Sequence, residues 1–151
     1  MPTHFEGPDD QKRALDTYIK LMRAAESVAR RALVHVQAAG LTEGQFGVLE
    51  ALHHLGPLKL SELARKHLRS PNNLTVIVNN LEKNGLVERR RCATDRRIIF
   101  VHLTEAGAEA IEHLFPLHAA AVARELALLT KEEQVLLDGL LRRLGKGQAE
   151  Q

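Results

Sequence analysis

The sequence of 151 residues holds one cysteine, no tryptophan, one tyrosine and four phenylalanines. A single thiol excludes a disulfide framework and a four-thiolate zinc site. With aromatics at 3%, a core must be built from Leu, Val, Ile and Ala. Ten glycines and five prolines argue against a turn-rich sandwich and against disorder. No apolar run approaches the ~20 residues that a membrane span needs. The opening Met1-Pro2-Thr3-His4-Phe5-Glu6 lacks the basic-then-apolar order of a secretory signal. There is no glycine-rich phosphate loop after a strand, no nucleophile elbow and no close carboxylate pair with a plausible partner. The composition therefore predicts a mainly helical, cytoplasmic protein with no membrane partner, no cofactor and no catalytic role. Its length fits one domain with helical extensions.

Charge is uneven along the chain. Between Lys59 and Leu103 stand ten basic residues (Lys59, Arg65, Lys66, Arg69, Lys83, Arg89, Arg90, Arg91, Arg96 and Arg97) against four acidic ones, a net +6. The rest of the chain carries −4. A basic middle between acidic flanks fits a polyanionic partner, although a solvated face would show the same skew.

Periodicity divides the chain into elements. Residues 1–9 read as a flexible arm. From Asp10 to Ala39 no Pro or Gly interrupts, and Leu15, Tyr18, Ile19, Met22, Ala29, Leu33 and Val36 recur at helical spacing up to Gly40. Thr42 and Gln45 form a capping box opening a second helix, with Phe46, Val48, Leu49 and Leu52 inward and an end near Gly56-Pro57. A short helix from Leu60 to Leu68 buries Leu60, Leu63 and Ala64. Ser70-Pro71 then supplies an N-cap and a first helical residue. The helix from Pro71 to Asn84 turns Leu74, Ile77, Val78 and Leu81 inward and stops at Gly85. Asn72, Val76, Asn79 and Lys83 fall on its opposite face, flanked by Asn73, Thr75 and Asn80. Asn lowers helix propensity by several tenths of a kcal/mol per residue, so four of them answer to something other than helix stability.

After Leu86 the period changes. Val87 to Arg91 and Ile98 to Leu103 read as a two-stranded hairpin with an arginine-rich tip. Thr104 caps a helix to about Leu129, which Pro116 should kink or split. Thr130 and Glu133 form a second capping box, and the closing helix is expected to bury Val135, Leu136, Leu137, Leu140, Leu141 and Leu144 before Gly145. Residues 147–151 read as a tail.

A helix, a short helix, a capped helix and a basic hairpin make the layout of a winged helix-turn-helix. The fold class is mainly α, with a two-stranded β-wing in residues 41–104 and dimerisation helices in 10–40 and 105–146. Duplex DNA suits such a middle. Its major groove admits one helix and presents mixed donors and acceptors, which Asn can satisfy. On this reading Asn72, Asn73, Thr75, Val76 and Asn79 read bases. Lys66, Arg69, Ser70 and Lys83 hold phosphate, and Arg91, Arg96 and Arg97 carry the wing into the minor groove. Apolar stripes on the end helices suggest packing against a second copy.

Leu41-Thr42, Gln45-Phe46 and Val48-Leu49 resemble the second-helix signature of MarR-type transcriptional regulators. So do Ser70-Pro71 and Leu81-Glu82 through Gly85-Leu86-Val87. The wing motif is similar as well: Asp95-Arg96-Arg97, then Val101, Leu103, Thr104 and Gly107. The resemblance covers roughly residues 12 to 145. It implies an obligate homodimer on a pseudo-palindromic operator, a sequence-specific regulator that often represses a nearby gene until a small ligand or oxidant lowers its affinity. It also implies that Arg97 enters the minor groove while Asp95 braces the wing by pairing with a neighbouring Arg. Residues 17–24 and the Phe115-Pro116 and His118 stretch look most like the branch answering to catechols, hydroquinones and related phenolics. By the family's architecture, Tyr18, Met22 and His53 are candidates for lining an effector pocket.

Other residues leave alternatives open. Cys92 follows three arginines whose field should favour thiolate, so a redox switch stands beside an incidental cysteine. Eight histidines raise a zinc-responsive regulator as a second reading, yet His113 and His118 are five apart and His53 and His54, as neighbours on a helix, point apart. No metal site is expected. Glu26 on the apolar stripe meets an Arg of the partner helix, helps line a ligand pocket, or sits solvated at the stripe's edge. A winged-helix module that binds protein instead of DNA is the remaining alternative.

Overall fold

A computed structural model describes residues 2–67 and 71–147, without the side chains of residues 67–72. The proposed Ser70 cap and the helix end at Leu68 lie outside the described residues. The elements run α1 (Asp9–Ala32), α2 (Val34–Ala38), α3 (Glu43–Leu55), β1 (Leu58–Lys59), α4 (Leu60–His67), α5 (Pro71–Lys83), β2 (Val87–Arg91), β3 (Ile99–Leu103), α6 (Glu105–Leu126) and α7 (Lys131–Lys146). The chain divides into two compact units. One is Leu33–Ala119; the other joins the two ends, Met1–Ala32 and Ala120–Gln151.

The central unit holds nearly all of the core. Val36, Leu41, Phe46, Val48, Leu49, Leu52, Leu63, Leu74, Val78, Leu81, Val87, Val101, Ile111 and Leu114 are buried. Each such aliphatic side chain contributes roughly 1.5–3 kcal/mol by leaving water. Among the described residues no polar or charged one is buried. Leu60 and Ala64 are half-buried instead of buried, leaving Leu63 as the anchor of α4.

Local signals account for most boundaries. Thr42 Oγ1 accepts from Gln45 N–H at 3.2 Å, and Gln45 Oε1 accepts from Thr42 N–H at 3.0 Å, so the first capping box forms. Thr130 and Glu133 form the second at 3.2 and 2.8 Å. Gly40 and Gly85 end their helices at φ +79° and +73°. In each case the next residue donates back to the carbonyl five earlier, Leu41 to Val36 at 3.2 Å and Leu86 to Leu81 at 2.9 Å. This is the Schellman arrangement, with the two apolar side chains of each pair brought together.

Several expectations need correction. The first helix breaks: α1 stops at Ala32, and Leu33 sits at φ −92°, ψ 7° before α2 resumes. Burial of Leu33, Val36 and Leu41 in the central unit outweighs helix continuity, which β-branched Val34 and Val36 support only weakly. The hairpin is joined by a third strand, giving the antiparallel order β1-β3-β2 with Leu58 opposite Val101 and Lys59 opposite Phe100. Two residues are too few to show an alternation. Of the two outcomes expected at Pro116, the split does not occur: α6 is continuous from Glu105 to Leu126.

The closing helix buries nothing. Val135, Leu136, Leu140, Leu141 and Leu144 are 41–67% exposed, and the helix runs past Gly145 to Lys146. The terminal unit is accordingly thin: only Ala32 and Ala121 are buried hydrophobics among its described residues. Its ties are polar. Arg31 Nε lies 2.6 Å from Glu125 Oε2, and Gln134 Nε2 donates to the Leu126 and Leu129 carbonyls at the end of α6. Residues before α1 are also tied, Thr3 N–H donating to Asp16 Oδ1 at 2.5 Å. Glu26 pairs with Arg30 one turn along at 3.1 Å, both exposed, which is the stripe-edge arrangement.

Thr104 joins the wing to α6. Its N–H donates to the Leu86 carbonyl at 3.1 Å, its hydroxyl to the Gly85 carbonyl at 2.6 Å, and the same hydroxyl accepts Gly107 N–H at 3.0 Å. A Cβ on Gly107 would overlap the Leu86 carbonyl oxygen and lie 2.9 Å from its carbon. Gly107→Ala should therefore destabilise the fold by about 1–3 kcal/mol, the usual cost of overpacking against rigid neighbours. A denaturant midpoint equal to that of the wild type would contradict this packing.

Candidate nucleic-acid interface

The outward face of α5 is built by its own amphipathic pattern. Leu74, Val78 and Leu81 are buried, with Ile77 half-buried beside them, which turns Asn73, Thr75, Val76, Asn79, Asn80 and Lys83 to the exposed side. Val76 is 59% exposed, an apolar side chain on an otherwise polar face. A shallow cleft lined by Thr42, Glu43, Gly44, Asn73, Val76 and Ile77 separates this face from the start of α3. The two helices approach closely there: a Cβ on Gly44 would lie 2.8 Å from Ile77 Cδ1.

Beyond α5 the hairpin projects its arginines. Strand pairing runs Val87–Leu103 to Arg91–Ile99, and Cys92 N–H donating to Ile98 O at 2.9 Å closes the tip. Ile98 N–H donates to Asp95 O at 3.1 Å, forming a tight turn over Asp95-Arg96-Arg97. Asp95 organises that turn. Its Oδ1 accepts Arg97 N–H at 3.0 Å and Arg97 Nε–H at 3.2 Å. These bonds to Arg97 hold the Asp95 carboxyl below its ordinary pKa. The lowered value means the brace is complete above the usual carboxylate range and is lost only as pH falls through the depressed value. Arg97 itself remains 91% exposed, and Arg91 Nη1 donates to the Arg96 carbonyl at 3.2 Å.

At its root the wing is locked to α5. Alternation along β2 sets Arg89 on the face of buried Val87, toward α5. Arg89 Nη1 donates to Glu82 Oε1 at 2.9 Å, and Arg89 N–H to Glu82 Oε2 at 3.1 Å. Arg89 Nη2 donates to Asn79 Oδ1 at 2.6 Å. On the opposite face Arg90 pairs with Glu88. A polar recognition face, a basic projection and a rigid joint between them suit a duplex with adjacent major and minor grooves.

Residues 41–99 match the model of the MarR family. The HTH-type transcriptional regulator YkoM of Bacillus subtilis (strain 168) is 32% identical over 137 residues, 91% of this chain and 89% of that protein. The chain belongs to the MarR family. Among solved structures, the MarR-family regulator Sco3205 of Streptomyces coelicolor in complex with DNA superposes with a TM-score of 0.82 at 27% identity, covering 95% and 91% of the two chains. NadR in complex with 4-hydroxyphenylacetate gives a TM-score of 0.71 at 27% identity, covering 98% and 100%. The chain is thus a MarR-family transcriptional regulator with the winged-helix fold.

In this MarR-family chain, Lys66 is exposed on α4, while Arg69, Ser70 and the side chain of Asn72 lie outside the described residues. Tyr18 and Met22 are exposed on α1 of the terminal unit and His53 is exposed on α3 of the central one. Tyr18 lines a groove with Asp10, Arg13, Ala14, Thr17, Leu21 and Leu144, which does not include Met22. His53 and His54 do not point apart: their rings meet edge-on at 5.0 Å, and His54 meets Phe115 at 4.7 Å. Among the described residues no three His, Cys, Asp or Glu gather as metal ligands. Arg89 entered the sequence reading only as part of the basic middle and Glu82 only as part of a motif, neither with a site role, although the alternation of β2 places Arg89 on the face of Val87.

Cys92 also differs in cause from what its arginine neighbours suggest. Its thiol lies below its ordinary pKa chiefly through the Thr94 hydroxyl, 3.2 Å from Sγ, and then through the backbone of Thr94 and Asp95. A donor to sulfur favours thiolate. Thr94→Val removes that donor, so the pH midpoint of Cys92 alkylation should move upward. An unchanged midpoint would return the effect to the arginines.

Proposed function

We propose that this MarR-family chain is a cytoplasmic, homodimeric repressor that occupies a pseudo-palindromic operator until a small phenolic or aromatic molecule lowers its affinity. The observation that carries the reading is the joint display of an exposed polar α5 face and an arginine wing whose tip residue Arg97 is almost fully exposed. In this reading Asn72, Asn73, Thr75, Val76 and Asn79 face base edges. Lys66, Arg69, Ser70 and Lys83 hold phosphate, and Arg91, Arg96 and Arg97, braced by Asp95, enter the minor groove. DNA binding by Sco3205 supports it.

The dimer is supported by the apolar surface of the terminal unit. Leu128, Val135, Leu136, Leu140 and Leu144 are each at least half exposed. A second copy offers the same stripe and a self-complementary interface. Two recognition helices would then stand about 34–36 Å apart or a multiple of that. The functional division follows: residues 10–40 and 105–146 dimerise, 41–104 bind DNA, and 1–9 and 147–151 are arm and tail. An effector that shifts the helix spacing by a few Å misaligns both half-sites at once. A phenolic effector is supported by the 4-hydroxyphenylacetate bound to NadR, and Tyr18, Met22 and His53 are its candidate contacts.

Repeated selection from a random duplex pool at two salt concentrations tests this reading. An inverted repeat should emerge, with affinity falling steeply in salt. On that repeat Arg97→Ala should cost about 1–3 kcal/mol, and Lys83→Ala should weaken all sequences alike while shallowing the salt slope by ~1. No enrichment with flat salt dependence would favour a protein-binding winged helix instead. Zinc copurifying with the protein and altering its DNA affinity would favour the metal-responsive reading.

A further inference from the structure

The joint between Arg89 and Asn79 bears on which base α5 accepts. A guanidinium carries donors only, so the Asn79 atom 2.6 Å from Arg89 Nη2 must be the amide oxygen, whatever the density of contacts around it. Arg89 is held in turn by two bonds to Glu82, three residues beyond Asn79 on the same helix, at 2.9 and 3.1 Å. Asn79 is therefore not a free amide. Its oxygen faces the root of the wing, and its NH2 group is the end left to present outward from an exposed position.

That orientation decides a chemical question. A free Asn reads adenine with two bonds, accepting from N6–H and donating to N7. An amide whose oxygen is turned to the wing root by Arg89 presents its NH2 donors outward. Guanine presents two acceptors, O6 and N7, whereas adenine would leave its N6 donor without a partner. We propose that Arg89 is a positioning residue that turns Asn79 into a donor-only reader, selecting guanine over adenine at one position of each half-site. The proposal rests on the reading that α5 enters the major groove.

Selection of duplexes by the full-length wild type, Asn79→Ala, Asn79→Asp and Arg89→Ala tests it. The position whose preference Asn79→Ala erases identifies the base read by Asn79. There the wild type should prefer guanine over adenine by about 3- to 10-fold, the range of one net hydrogen bond. Asn79→Asp keeps an acceptor for Arg89 but loses the donors, so it should fold and lose the guanine preference. Arg89→Ala frees the oxygen, and adenine should rise at that position. Because Arg89→Ala also leaves Glu82 unpaired, 7-deazaguanine placed at that position of the wild-type duplex gives a second measure, and it should weaken binding. An adenine preference in the wild type would overturn the proposal. So would an unaltered preference in Asn79→Asp, or an Asn79→Ala preference identical at every position, even while the inverted repeat is still recovered. Failure to enrich any sequence would instead remove the major-groove reading, and the proposal with it.

Discussion

The junction at Gly85, Leu86 and Thr104 fixes the rest of the central unit. Within four residues of α5's end, the left-handed Gly85 reverses the chain, and the Gly85 and Leu86 carbonyls both take bonds from Thr104. Those carbonyls lie just past the end of α5 and have no place in its ladder, and a carbonyl left without a donor costs free energy wherever water is excluded. One threonine supplies both bonds and also caps α6 through Gly107. Helix α5, the wing and α6 therefore meet at one point, and none can shift without breaking bonds made by the others. The missing Cβ of Gly107 is what lets the helix come that near.

From that junction the contacts run outward along the wing. Arg89 and Glu82 tie the wing root to α5, and Asp95 ties the wing tip to itself. Both ties are ionic but exposed or half-exposed, so their worth lies in geometry more than in stability. A wing pre-set against its helix loses less freedom on meeting a duplex. The terminal unit follows the opposite logic. It buries little in the single chain and displays aliphatic side chains along α7. The proposed dimer would cover such a surface.

Much of this architecture was legible in the sequence because its signals are local. Thr42 with Gln45, Thr130 with Glu133, and Gly40 and Gly85 past their helices each act within a turn, and each forms the bond its residue type favours. The two strands of the hairpin were legible from the change of period around a polar turn, though their register was not. What escaped was nonlocal. The break at Leu33 comes from burial of residues on both sides of it, with no Pro or Gly to mark it. Strand β1 exists only because β3 pairs with it. The bond from Arg89 to Asn79 spans ten residues and two kinds of element. The exposure of α7 reflects the lack of a covering surface in one chain, which an apolar pattern alone cannot reveal. At Cys92 the nearest hydroxyl outweighed the neighbouring charges.

Cys92 also offers the most direct test of the central claim, that α5 lies in the major groove with the wing in the adjoining minor groove. It is the chain's one cysteine and closes the wing tip. An iron–EDTA reagent attached there and bound to the selected duplex should cut at two places, symmetric about the centre of the inverted repeat. Each pair of cuts should carry the strand offset of minor-groove cleavage. A single cluster, cuts with the major-groove offset, or scattered cleavage would contradict the account.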